Sequence, residues 1–323
     1  MKLSVCIFTF NHAAFIAQAI ESVLKQQANF EFEVIIGEDC STDRTRDIVE
    51  SFQAKYPDKV RAFLNPKNLG VMPNNVYILG QARGEYIALL DGDDYWLGTE
   101  KLQHQVDFLD ANPDFVLCFH DAKVLGLNGQ IGPQTCCGDK QKKVVSLSDI
   151  VCDTHIPTGS VVFRRSALKK FPPPNYCSLK ATDRPLFLFL SEFGRSYYFN
   201  ETWSVYRKHP NGDWTGRPYQ SQYLTHLQIY TFMNKHLKRK HESAFCSCET
   251  RVAYELAFEL LKHGRVKRAR YAFRRFLRAS KGLTPFNLGV LYKTLKFYNL
   301  MFRHWITSTQ AVVTRNIASK ASV

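Results

Sequence analysis

Apolar positions follow two rhythms along the first two-thirds of this chain. "KLSVCIFTF" (2–10) is a nearly continuous, β-branched apolar run, the pattern of a strand covered on both faces. Phe15, Ile16, Ala19, Ile20, Val23 and Leu24 then recur at helical spacing. "FEFEVIIGEDC" predicts a second strand, and "STDRTRDIVESFQAKYP" a helix capped by Ser41 or Asp43 and ended by Pro57. "VRAFLN" is a short strand, "NNVYILGQA" a helix and "GEYIALLD" a fourth strand. Strands separated by helices of this length imply an α/β fold: a Rossmann-like, mostly parallel central sheet flanked by helices. Such a sheet binds ligands at the carboxyl ends of its strands. "TFNHA", "GEDCSTD" and "DGDD" all fall there.

The pattern then loosens. "TEKLQHQVDFLDANPD" predicts a helix and "FVLCFHDAKVL" a strand, while 126–143 has little periodicity and reads as a loop. "SLSDIVCDTHIPTGSVVFRRSAL" predicts a short helix, a turn and a strand. "TDRPLFLFLSEFG" predicts a helix opened by Thr182 with Pro185 in its first turn. "YYFNETWSVYRKHPNGDWTG" is a strand running into a Gly/Pro loop, and from about Pro218 the readable pattern is all helical. The expected division is an α/β domain over 1–217, in halves 1–97 and 98–217, followed by a helical extension over 218–323.

Charge sharpens that division. The net charge of +14 sits entirely in the last third: residues 215–323 hold 20 Lys and Arg against 4 Asp and Glu, whereas 1–214 hold 23 against 25. "HGRVKRARYAFRRFLRASK" places Val266, Ala269, Phe273, Phe276 and Leu277 at helical spacing among basic residues, and 254–277 is similar to one tetratricopeptide-like helix pair without a second copy. A basic, aromatic amphipathic segment suits an anionic membrane surface. A solvated helical bundle is the plainer reading, and nucleic acid the least favoured partner. The nine cysteines form no C-x-x-C pair and read as reduced thiols. With no leader-like opening and no run of 18 apolar residues, the expectation is a cytoplasmic protein, either free or peripheral on the inner face of the membrane.

The chemistry concentrates in "LLDGDDYW" (89–96), three carboxylates directly behind a buried run. Three readings stand for it: a solvated turn, a helix capped by Asp94, or a divalent cation held by carboxylates with a diphosphate completing its shell. The second acidic cluster, "GEDCSTD", ends the neighbouring strand and offers a carboxylate to a nucleobase or ribose. His209 stands in a Gly/Pro loop after the last strand, Asp183 opens an apolar helix, His120 and Asp121 fall where a second substrate would approach, and His155, Thr158 and Ser160 are candidates to support the site from behind.

Four segments in order, "SVCIFTFNHAAFIAQAIESVLKQ", "IIGEDCSTDRT", "NPKNLGVMPNNVYILGQARGEYIALLDGDDYW" and "KATDRPLFLFLSEFG", resemble those of the family 2 glycosyltransferases, from about Ser4 to Trp214. The resemblance implies the GT-A fold, with 1–97 as a nucleotide-binding half and 98–217 as an acceptor half. It also implies an inverting transfer of sugar from a UDP-, GDP- or dTDP-sugar to a glycan or lipid-linked glycan, in bacterial surface polysaccharide or lipopolysaccharide assembly. Carried over to this chain, Asp39 binds the base with Thr9 and Phe10 lining its pocket. Glu38 stands where the family usually has Asp. Asp91 and Asp93 form the DXD pair at the ribose and the metal-bound diphosphate, and Gly92 is the variable middle position. Asp91, Asp93 and His209 are the implied ligands of Mn²⁺ or Mg²⁺, and Asp183 is the implied general base. A non-catalytic nucleotide- or glycan-binding module with a basic tail is the alternative. A metal-dependent nucleotidyltransferase would need a Gly-rich triphosphate loop, and "FTFNHAAF" has no glycine.

Overall fold

Strand β1 (Leu3–Thr9) is buried at every position, as its continuous apolar run requires, and lies parallel to both β2 (Phe32–Glu38) and β4 (Tyr86–Asp91). β3 (Val60–Leu64) extends the parallel set beyond β2. This is the computed structural model of the chain, which describes residues 1–152, 154–280 and 292–301 in two units, Met1–Gly216 and Arg217–Val323. Helices α1 (Ile16–Leu24), α2 (Thr45–Lys55) and α3 (Val71–Gln81) make the crossovers. α1 buries Ile16, Ala19, Ile20 and Val23 against the sheet, as its 3.6-residue spacing dictates. Register pairs Thr9 with Glu38 and Phe8 with Asp91, so three strands end level at one carboxyl edge.

Among the described residues the sheet has ten strands, in the order β3-β2-β1-β4-β9-β6-β10-β5, with β7 beside β6 and β8 beside β10. After β5 (Tyr95–Trp96) and α4 (Lys101–Ala111) come β6 (Phe115–Leu125), β7 (Ile131–Thr135), β8 (Val144–Val145), α5 (Leu147–Cys152), β9 (Val162–Arg164), α6 (Asp183–Leu190) and β10 (Arg195–Arg207). The parallel expectation holds for the first four strands. In the second half only β6 and β10 pair parallel, and β9 runs antiparallel between β4 and β6.

Two local expectations change. The segment 126–143 is not all loop: β7 folds back antiparallel on β6 through a turn at Asn128-Gly129, where Gly129 takes φ +73°. Asp94 caps no helix, because the two-residue β5 follows it directly and pairs antiparallel with β10, Val205 opposite Tyr95.

The second unit holds α7 (Tyr219–His236), α8 (Glu242–Lys262), α9 (Val266–Ser280) and a helical stretch at 292–301. The α8–α9 corner is a Schellman turn. Gly264, at φ +67°, donates its N–H to the Leu261 carbonyl and Arg265 donates to the Leu260 carbonyl. α9 buries Ala269, Ala272, Phe273 and Phe276, and Phe273 stacks on Phe297. Among the described residues no helix is long and apolar enough to cross a membrane.

Candidate active site

The chain leaves β4 at Asp91 and turns at once, so Asp93 and Asp94 come under the end of β10. Arg207, the last residue of β10, fastens this turn: its backbone N–H donates to Asp94 Oδ1 (2.7 Å) and its Nε to the Asp93 carbonyl (2.7 Å). Its guanidinium also reaches Gln18 Oε1 and lies over Phe15. Two residues on, His209 Nε2 stands 2.9 Å from Asp93 Oδ2. From the loop after β1, His12 Nε2 faces the same oxygen at 3.8 Å, and the donor atoms of His12, Asp93 and His209 all lie within 4.8 Å of one another.

The electrostatics separate the three acids. Burial, joined by the charges of Asp93 and Asp183, pushes Asp91 up to about 8 against a hydrogen bond from Thr158. Burial also opposes ionisation of Asp93, but the His209 hydrogen bond and the nearby His12 imidazole hold it below the ordinary carboxylate range. Asp94 is raised well above that range by burial and by Asp93 and Asp91. Burial lowers the pKa of His12 despite Asp93, which favours an imidazole with a free lone pair. The edge therefore concentrates a carboxylate favoured in its ionised form, two acids whose ionisation burial and mutual repulsion oppose, and two imidazoles. A cation would relieve this arrangement, and the donor set suits one: a carboxylate oxygen and two imidazole nitrogens lie within 4.8 Å of one another.

Asp183 opens α6 in partial exposure, its Oδ1 accepting the N–H of Arg184 at 2.6 Å. It lines a narrow cleft, with free room of only about 10 Å³, together with Phe8, Met72, Asn75, Thr158 and Tyr176. A second cleft, about 480 Å³ and lined by Glu85, Arg164, Arg165 and Lys169, holds none of these acids.

The nucleotide-side candidates sit at the ends of β1 and β2. Asp39 is buried and accepts three hydrogen bonds, from Asn65 Nδ2 (2.9 Å) and the N–H groups of Leu69 (2.8 Å) and Gly70 (2.9 Å). A carboxylate offers about four lone-pair sites, so one is left over for a ligand. Glu38 points inward with no exposed surface, bound to the Ser41 N–H and to Arg46. The extra methylene relative to Asp lets it reach that guanidinium. Phe10 is exposed and Thr9 buried. Gly92 is a constrained position here: a Cβ on it would lie 2.7 Å from Thr9 Oγ1 and 3.0 Å from His12 Nδ1.

Other candidates fall elsewhere. His120 is fully buried, its Nδ1 on the Asp121 carbonyl, and Asp121 accepts the N–H groups of Ala122 and Cys137, so both serve the interior. Ser160 Oγ donates to the Pro157 carbonyl. His155 lies within electrostatic reach of Asp183. His12 was not singled out from sequence, although it follows β1 at the edge where the other strand ends meet.

A mixed α/β sheet whose carboxyl edge gathers an Asp-x-Asp turn and a second acidic strand end has the GT-A fold, and solved structures agree. The crystal structure of Staphylococcus aureus TarS 1–349 in complex with UDP-GlcNAc matches with a TM-score of 0.56 at 20% identity, covering 86% of this chain and 89% of that one. A mannosyltransferase from Pyrobaculum calidifontis in complex with GDP-Man and Mn²⁺ matches with a TM-score of 0.55 at 15% identity, covering 98% of this chain and 86% of that one. The sequence model described as glycosyl transferase family 2 matches residues 4–170, and the chain belongs to that family. Among curated relatives, an uncharacterized protein of Mycobacterium tuberculosis is 34% identical over 220 residues, 66% of this chain and 60% of its own length. The chain therefore spans about three-fifths of that relative. The S. aureus poly(ribitol-phosphate) beta-N-acetylglucosaminyltransferase TarS is 34% identical over 170 residues, 52% of this chain and 28% of TarS.

Proposed function

We propose that this chain transfers a sugar, with inversion, from a nucleoside diphosphate sugar to a hydroxyl of a glycan or lipid-linked glycan in surface polysaccharide assembly. The observation that carries the reading is Asp93, its backbone carbonyl held at the carboxyl edge by Arg207 and its carboxylate facing two imidazoles beside Asp91. Asp39, with its remaining acceptor site, takes an N–H of the base. Thr9 and Phe10 line the same pocket, and Glu38 with Arg46 holds the turn that forms its wall. Asp91 faces the ribose. Asp93, Asp91 and His209 would hold a divalent cation, Mn²⁺ or Mg²⁺, which when bound supplies Lewis-acid stabilisation to the departing diphosphate. Asp183 takes the proton of the acceptor hydroxyl as that oxygen attacks the anomeric carbon, and the nucleoside diphosphate leaves from the opposite face.

Two relatives support the pathway. TarS is named for a poly(ribitol-phosphate) acceptor, and a Bacillus subtilis relative, 35% identical over 107 residues, is a putative teichuronic acid biosynthesis glycosyltransferase. α9 supports a peripheral, cytoplasmic-face location: Lys267, Arg270, Arg274 and Arg278 are exposed at helical spacing, beside an exposed Tyr271, with no acidic residue in the helix. The test is nucleoside diphosphate release from a panel of UDP-, GDP- and dTDP-sugars with Mn²⁺, Mg²⁺ or EDTA. One donor class is expected to turn over with metal only, and Asp93→Ala to abolish it. Absence of turnover and of binding across the panel would sink the reading.

A further inference from the structure

His12 is not among the cation ligands named above, yet the loop that carries it is tied down at three successive backbone N–H groups. Its backbone N–H donates to Thr45 Oγ1 (2.8 Å), and its neighbours are stapled to the same turn: Asn11 N–H to Ser41 Oγ (2.9 Å) and Ala13 N–H to Asp43 Oδ2 (3.0 Å). The "CSTDRT" turn after β2 thus fixes the loop after β1. The ring is fixed as well. Nδ1 sits 3.3 Å from Thr9 Oγ1, within hydrogen-bond reach, and Gly92 leaves the room for that pair. With Nδ1 engaged, Nε2 is the nitrogen that faces Asp93, at 3.8 Å. That separation is too long for a hydrogen bond. It suits two donors sharing one ion: with ligand distances of about 2.1 Å, such donors lie roughly 3 to 4.2 Å apart. A backing hydrogen bond on the second ring nitrogen is what a metal-ligating histidine ordinarily has.

We propose that His12 is a further protein donor to the cation, adding a second imidazole beside Asp93, Asp91 and His209, and that this second imidazole makes the site select first-row transition ions over Mg²⁺. The proposal rests on the glycosyltransferase reading only for the use of the ion, not for its binding. Two imidazoles favour Co²⁺ strongly and Mn²⁺ more modestly over Mg²⁺, because affinity for nitrogen donors rises along the first-row series that Mn²⁺ begins. Mg²⁺ prefers an oxygen shell and keeps its waters. Thr9 then acts as a positioning residue, holding the imidazole through Nδ1.

The test measures metal alone, then metal with UDP. Mn²⁺ binding is followed by loss of the free-ion electron paramagnetic resonance signal, Mg²⁺ by competition, and Co²⁺ by absorption and paramagnetically shifted imidazole N–H resonances. The wild type is expected to bind Mn²⁺ and Co²⁺ at least about 10-fold more tightly than Mg²⁺. His12→Ala should weaken Mn²⁺ and Co²⁺ by about 10–100-fold, leave Mg²⁺ nearly unchanged and remove one shifted N–H resonance. Thr9→Val, which keeps the ring and loses its partner, should give a smaller loss in the same direction. Circular dichroism and melting of each variant separate misfolding from loss of a ligand. Unchanged Mn²⁺ affinity in a folded His12→Ala protein, equal losses for Mn²⁺ and Mg²⁺, or no metal binding by wild type with or without UDP would each overturn the proposal. Donor turnover is scored separately: selective metal binding without turnover defeats the transfer reading and leaves this one standing.

Discussion

His209 Nε2 lies 2.9 Å from Asp93 Oδ2 although 116 residues separate them in sequence. The contact exists because β10 pairs with β5 immediately after the acidic turn, and Arg207 bonds to Asp93 and Asp94 through both its main chain and its side chain. His209→Ala should therefore lower metal-dependent diphosphate release by about 10²–10³-fold, the range found when one preorganised stabilising group is removed. Arg207→Lys keeps the backbone N–H on Asp94 but cannot reproduce the planar fork. It should reduce kcat with a melting temperature close to wild type. Steady-state kinetics with melting curves on both variants check this, and full activity in His209→Ala would count against the contact's role.

Gly92 makes a separate prediction about packing. A methyl there would meet the buried, β-branched Thr9 at 2.7 and 2.8 Å, and neither partner has a flexible end to yield. Gly92→Ala should cost about 1–3 kcal/mol by denaturant unfolding and shift His12 as well. Gly84→Ala is the comparison, because its Cβ would lie 2.5 Å from the backbone of Leu3 and Ser4 at the opposite end of the sheet. It should destabilise at least as much while the surviving folded protein keeps its metal affinity. Equal loss of metal affinity in both would show that Gly92 acts through global stability alone.

What the sequence made legible follows from burial. β1, β2 and β4 are covered on both faces, so their residues had to be apolar without interruption, and the acids behind them marked the edge directly. The strand end at Asp91 was legible in this way, but Asp93 and Asp94 by themselves left a solvated turn, a cap and a cation site all open. β9 is three residues long and β7 is exposed at most positions, so neither carries a strong periodic signal, and only the Asn128-Gly129 pair hinted at the hairpin. Asp94 reads as a cap from its local neighbours, but its partner is the N–H of Arg207, supplied by an antiparallel pairing no local pattern encodes. His12 was hidden for a related reason. A lone histidine in a loop gains meaning only when the Thr45 hydroxyl and Gly92 are seen to fix where it points.

Lys101 gives a prediction with a defined pH window. It is almost wholly buried in the first turn of α4, its Nζ over the Trp96 ring at 4.0 Å with no hydrogen-bond partner among the described residues, and burial lowers its pKa to about 7 from an ordinary 10.5. Between those values the unfolded chain binds a proton that the folded one does not, so stability contributed at this site rises with pH from about 7 to about 10.5. Below 7 both forms are charged and the burial cost is felt in full. Lys101→Met should accordingly stabilise by about 1–4 kcal/mol at pH 6, with the gain shrinking toward pH 10. Urea unfolding at pH 6, 8 and 10 measures it, and a gain that grows with pH would contradict the assignment.

Asp183 separates binding from chemistry. It stands at the start of α6 in the narrow cleft with Thr158 and Tyr176, close enough to Asp91 to raise that group's pKa, but among the described residues it forms no hydrogen bond or ion pair with Asp93, His12 or His209. Removing its basicity while keeping its shape should leave donor and metal binding intact. Asp183→Asn is expected to bind the nucleotide sugar within about 2-fold of wild type and to lose transfer by about 10²–10⁴-fold, the ordinary worth of a general base. Its backbone neighbour gives the control: the Arg184 N–H donates to Asp183 Oδ1, and the Asn side-chain carbonyl accepts it equally well, so the helix start should hold. Donor binding by calorimetry and single-turnover transfer to an identified acceptor decide the matter. If Asp183→Asn transfers at the wild-type rate, the proton leaves by another route and the base must be sought elsewhere in the cleft; if donor binding falls with transfer, Asp183 belongs to the donor site instead.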